Sequence, residues 1–117
     1  MRACPLFELQ KAQGAVFRLH AGFSVPAHYG DPDTEYAVAR QSCIVADLSY
    51  SGKLRVRGAD RGAVLDRALA GDVTSLIEGC GLHTLALTPT GRILADMVIY
   101  ALDDWHLMEL DLENAPR

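Results

Sequence analysis

Ile93-Leu94-Ala95-Asp96-Met97-Val98-Ile99-Tyr100-Ala101-Leu102 is the stretch on which the fold turns. Apart from Asp96 and the hydroxyl tip of Tyr100, every side chain in it is apolar, which marks the strongest strand of the chain. Side chains alternate across a strand, so Asp96 shares a face with Leu94, Val98, Tyr100 and Leu102. A strand apolar on both faces is usually covered on both, and Asp96 is therefore expected to be enclosed. A carboxylate there costs several kcal/mol unless it is hydrogen-bonded, opens to a cavity or stays protonated. Asp96 is thus the first candidate functional residue. A bland reading stands beside it, in which Asp96 caps a backbone N–H at a bulge or pairs with an arginine such as Arg92.

Working outward, Thr88-Pro89-Thr90-Gly91 has proline and glycine where a turn takes them, and His83 to Leu87 before it is a short strand. Asp103-Asp104 turns the chain again, and His106 to Leu112 alternates as a last strand. Three strands joined by short turns make an antiparallel meander. Upstream, Lys53 to Arg57 alternates, with Leu54 and Val56 inward and Lys53, Arg55 and Arg57 outward as a solvated basic stripe. Ala59 to Ala70 places Val64, Leu65, Ala68 and Leu69 on one helical stripe, ended by Gly71.

The first fifty residues add two more helices. Pro5 suits a helix start, and Leu6 to Gln13 forms a short helix stopped by Gly14. Ala15 to Ala21 alternates as a strand. Gly22 to Gly30, broken by Pro26, is expected to be irregular. Asp31-Pro32 is a capping carboxylate followed by proline at the first helical position, opening a helix that runs to about Ser42. Ile44 to Leu48 is apolar and is expected as a buried strand. Helices precede and interrupt the sheet, so the fold class is α+β, an antiparallel sheet with three short helices.

With 117 residues the chain suffices for one domain, 1–117. A net charge of −4 leaves no basic face for nucleic acid and no attraction to an anionic membrane. No apolar run approaches a membrane span, and Met1 to Gln10 lacks the pattern of a signal peptide. The expected location is cytoplasmic. Cys4, Cys43 and Cys80 are far apart and make no zinc pattern with His20, His28, His83 or His106. Reduced structural thiols and no metal site are expected, with Cys4 the thiol expected to be exposed.

Several motifs, taken in order, carry a resemblance. Pro5-Leu6-Phe7-Glu8-Leu9 before Gly14-Ala15 looks like the opening of glycine cleavage T-proteins. Ala21-Gly22-Phe23-Ser24-Val25-Pro26 before His28-Tyr29-Gly30 resembles their AGW-x-MP…YG stretch. Asp47-Leu48-Ser49-Tyr50-Ser51-Gly52-Lys53 resembles DVSHMGK, and Leu69-Ala70-Gly71-Asp72-Val73 resembles L-T-N-D-V. Thr88 to Asp96 with Val98 and Tyr100 stands where the family has N-x-x-GG-x-x-DD-x-x-x-Y. The ordered set covers nearly the whole chain and resembles the N-terminal segment of the T-protein (aminomethyltransferase) and YgfZ-type folate-binding family.

The resemblance implies a tetrahydrofolate-binding domain of one-carbon metabolism. It implies that Asp96 contacts tetrahydrofolate and supports aminomethyl transfer, and that Val98 and Tyr100 line the pterin pocket. His83 falls on an aromatic pocket position and joins the cofactor-binding set. A lone histidine at a strand start is as a rule surface or satisfied core, and that reading stands beside the functional one. Departures accompany the match: Ala95 replaces the first aspartate of DD, Tyr50 the histidine and Ser51 the methionine of DVSHMG, and Leu112 an asparagine. The wording of the last strand favours a YgfZ-like accessory role in iron–sulfur cluster assembly or repair, and a catalytically silent dimerising module is a third reading. The chain stops where family members continue, so a homodimer is expected, paired through a free edge after His106–Leu112. A lipoyl carrier protein is the other partner implied.

Overall fold

The alternation at Ile93–Leu102 becomes a strand with the bounds the sequence predicts. The computed structural model describes residues 2–111, so Leu112 and Glu113, which the sequence places at the end of the last strand, lie outside the described residues. The chain divides into two compact units, Met1–Tyr50 and Ser51–Arg117.

The first unit runs β1 (Arg2–Ala3), α1 (Phe7–Ala12), β2 (Val16–His20), β3 (Phe23–His28) and α2 (Pro32–Gln41). Its three-stranded sheet has the order β1-β3-β2. The β2–β3 pair is antiparallel, and β1 adds a two-residue parallel pairing, Arg2 with Phe23 and Ala3 with Ser24. The α2 start forms as its residues dictate: Asp31 accepts from the Thr34 N–H at 3.1 Å, with Pro32 in the first turn.

Three expectations are corrected in this unit. Phe23–His28 is a strand, not an irregular stretch. Pro26 is tolerated because β1 reaches only Phe23 and Ser24, and the β2–β3 ladder shifts register at Val16/Phe17. Ile44 to Leu48 has no regular structure and is exposed, Val45 at 99%; its apolar side chains lack the cover that a buried strand requires. Cys4 is buried, while Cys43 and Cys80 are the exposed thiols.

The second unit runs β4 (Gly52–Arg57), α3 (Arg61–Ala68), β5 (Gly81–Leu87), β6 (Ile93–Leu102) and β7 (Trp105–Leu110). The sheet order is β4-β7-β6-β5, with every pair antiparallel. β5, β6 and β7 form the predicted meander. The turn before β6 closes as its residues require: the Gly91 N–H donates to the Thr88 carbonyl at 2.9 Å, and Gly91 has φ 79°, a backbone that glycine adopts at least cost.

Alternation decides which side of this sheet is core. Ala95, Met97, Ile99 and Ala101 of β6 are buried. Met97 and Ile99 cluster with Met108 and Leu110 of β7, Leu65 of α3 and Val73. Leu54 and Val56 pack against that cluster as predicted. On α3 only part of the predicted stripe is used: Leu65 is buried, whereas Val64 is 52% exposed, because an eight-residue helix offers the core one narrow face.

β7 lies inside the sheet, between β4 and β6. The expected free edge at the last strand is thus corrected; the edges of this sheet are β4 and β5. The class itself is as expected: among the described residues, α+β with mainly antiparallel sheets and three helices.

Candidate functional site

The opposite face of the second sheet carries the residues singled out from the sequence. Register fixes their arrangement. Leu85 stands across from Asp96, His83 from Val98, and Gly81 from Tyr100. On the other side of β6, Val98 faces Glu109 and Tyr100 faces Leu107, which in turn face Lys53 and Arg55. Leu85, Val98, Tyr100 and Leu107 are half-buried and form an apolar centre bordered by charged side chains.

Asp96 is not enclosed. Its side chain is 66% exposed and that of His83 65% exposed, and His83 Nε2 lies 2.6 Å from Asp96 Oδ1. The two residues are diagonal neighbours on adjacent strands, a separation that long side chains span. The expectation of a buried carboxylate fails because the core takes the Ala95–Ala101 face of β6 and leaves the Asp96 face to solvent. Leu94, on that same face, is also exposed, at 59%. The partner of Asp96 is His83 and not Arg92. In a chain of antiparallel strands, diagonal pairs of this kind become visible only once register is known.

Tyr100 is placed by a glycine. A Cβ on Gly81 would sit 3.0 Å from Cδ1 and Cε1 of the Tyr100 ring, so the ring lies over a backbone that carries no side chain. The border is also organised. Glu109 accepts from Ser51 Oγ at 2.6 Å and lies 3.5 Å from Lys53 Nζ. The Arg55 guanidinium lies 4.7 Å from the centroid of Trp105, which is half-buried. The four sequence-predicted residues therefore share one face. His83 and Asp96 are in direct contact, and Val98 and Tyr100 lie beside them as an apolar platform.

Two hollows lie elsewhere. One, of about 290 Å³, sits at the start of α3 and includes Arg61, Val73, Thr74 and His106. Arg61 is a clamp there: Nε donates to His106 Nδ1 at 3.2 Å, Nη1 to the Gly58 carbonyl and Nη2 to the Asp103 carbonyl. Burial, and secondarily the Arg61 charge, holds the His106 imidazole below its ordinary pKa. The other hollow, of about 650 Å³, belongs to the first unit and is lined by Val25, His28, Tyr36, Val38, Ile44 and Tyr50 among others. His28 Nδ1 is buried there without a hydrogen-bond partner. Neither hollow includes His83, Asp96, Val98 or Tyr100. No motif signals the second one, since its walls come from separate elements.

Among the described residues no group of three or more His, Cys, Asp or Glu is placed to hold a metal ion. No helix among them is long and apolar enough to cross a membrane.

A family model described as the GCVT N-terminal domain matches residues 6–111. An aminomethyltransferase of Cutibacterium acnes is 36% identical over 104 residues, which are 89% of this chain and 28% of that protein. The mitochondrial aminomethyltransferase of Homo sapiens is 29% identical over 108 residues, 92% of this chain and 27% of its own length. Among solved structures, the glycine cleavage system aminomethyltransferase T from Bartonella henselae superposes with a TM-score of 0.79 at 24% identity, over 97% of this chain and 32% of that one. The likeness to the solved structure concerns the fold. The chain spans about a quarter to a third of the length of the relatives it matches.

Proposed function

This chain belongs to the GCVT N-terminal domain family, and from that premise we propose that it serves one-carbon metabolism by binding a reduced folate on the His83–Asp96 face of its second sheet. The observation that carries the proposal is the juxtaposition of a His–Asp pair at 2.6 Å with the half-buried Val98 and Tyr100. A reduced pterin has apolar ring faces and an edge rich in N–H donors. The face offers the complement: an aliphatic and aromatic surface for the ring, and acceptor atoms on Asp96 and His83 for the edge. Tetrahydrofolate, when bound, supplies the nitrogen that takes up the one-carbon unit. The negative charge of Asp96 would stabilise positive charge developing next to that nitrogen.

The relatives named above are aminomethyltransferases, so the activity proposed is aminomethyl transfer from a lipoyl carrier protein. These relatives do not favour the iron–sulfur accessory reading. Self-association belongs to the same proposal, and β4 and β5 are the sheet edges through which two copies would pair. A monomeric mass by light scattering at micromolar concentration would remove that part.

The binding test is a calorimetric titration of 5-formyltetrahydrofolate into the wild-type chain and into Asp96→Ala. Heat in the wild type that is lost in the variant supports the reading; equal heats in both take Asp96 out of the site.

A further inference from the structure

We propose that His83, through Nδ1, is the hydrogen-bond acceptor this face presents to a ligand N–H, and that Asp96 acts on it as a positioning residue. The inference rests on the folate reading above and narrows it to particular atoms. An ionised carboxylate has no proton to give, so the proton shared across the 2.6 Å contact is the one on His83 Nε2. A neutral imidazole carries one proton, and fixing it on Nε2 leaves Nδ1 as a lone-pair acceptor. Nothing among the described residues hydrogen-bonds to that nitrogen. With the His83 side chain 65% exposed, the imidazole is open to an incoming ligand. A nitrogen base whose tautomer and ring plane are set by a carboxylate is the arrangement that makes a histidine a directed acceptor rather than a rotating one.

The division of labour follows from the atoms. Asp96 commits Oδ1 to the imidazole, so its contribution to the ligand passes largely through His83. Val98 lies directly across from His83 in the ladder and gives the apolar floor against which a planar ring would present its N–H edge. The N–H donors of a reduced pterin match this acceptor, and a ring bearing only acceptors on that edge does not.

Two measurements on the full chain test this. The first is the imidazole nitrogen spectrum of ¹⁵N-histidine-labelled protein at a pH that leaves imidazoles neutral. His83 is expected as the Nε2–H tautomer in the wild type and in Asp96→Asn, whose amide oxygen still accepts, and as a tautomer mixture in Asp96→Ala. An Nδ1–H tautomer in the wild type overturns the inference. The second is titration with 5-formyltetrahydrofolate. His83→Phe is expected to weaken binding roughly tenfold or more, and Asp96→Asn to weaken it by less than His83→Phe does. Binding unchanged in His83→Phe but lost in Asp96→Ala overturns the inference and leaves the folate reading standing. No binding by the wild-type chain removes both. His83 and Asp96 are exposed, so the variants fold, and the amide spectra of the same samples check it.

Discussion

His106 and Ile99 show how differently single side chains contribute. His106 is 7% exposed, and its Nδ1 accepts from Arg61, so the folded state holds it neutral. Its pKa lies below 6.5 in the folded protein. The unfolded chain therefore binds the proton first as pH falls, and stability drops as pH falls from about 6.5 toward the folded value, then levels off. Urea unfolding at a series of pH values is expected to show that slope, and His106→Gln is expected to flatten it. Asp31 and Asp72 have pKa values lowered by hydrogen bonds from Thr34 and from Ser75 and Thr74, so their contribution is lost only on acidification below about 3.8, a separate window. Ile99 is fully buried. Ile99→Ala is expected to cost about 2–5 kcal/mol, and Ile99→Val about 0.5–1.5 kcal/mol, in the same assay. That Ile99 is core and Asp96 is not was half legible in the sequence. Alternation assigns the two to opposite faces, but which face is covered depends on what packs there.

Elements are joined by a few specific contacts. Asp66 on α3 accepts from the Val73 N–H at 2.8 Å and the Thr74 N–H at 3.3 Å, tying the helix to the loop that delivers Val73 to the core. Asp66→Ala leaves a buried N–H unpaired and is expected to cost about 1–3 kcal/mol, whereas Asp66→Asn keeps the accepting oxygen and costs less. Gly71 is equally constrained. A Cβ there would sit 2.9 Å from both Leu82 Cδ2 and Thr84 Oγ1, and its N–H donates to that hydroxyl at 2.9 Å. Gly71→Ala is expected to lower stability by about 1–3 kcal/mol, read as a fall in the thermal midpoint. The sequence marks Gly71 as a helix stop, but not as a point of close approach, because the approaching atoms come from β5. In the same way β6 was legible to the residue, since ten alternating positions outweigh any local exception. β3 was not, because Pro26 is admissible only once its neighbours and their register are known.

At the scale of the molecule, the larger hollow and the most exposed apolar segment belong to the same unit. Ile44 and Val45, 63% and 99% exposed, continue into Leu48 at 47%, with Tyr36 at 68% nearby in sequence. Composition reads such a run as core, and only the three-dimensional surroundings show otherwise. Exposed apolar patches promote association. Val45→Asp is expected to reduce light scattering at high protein concentration while leaving unfolding free energy within about 0.5 kcal/mol of wild type. The strand order of the second sheet has a further consequence. β4 is the first strand of its sheet to be made, yet its neighbour there is β7, the last strand of that sheet among the described residues, with Gly52 against Leu110 and Arg57 against Trp105. On the ribosome, β4 must wait until β7 has emerged before its backbone finds a ladder. Such long-range closure slows folding and leaves nascent chains with an unmatched edge in the interval. Until then the β4 edge is open to pairing with other chains.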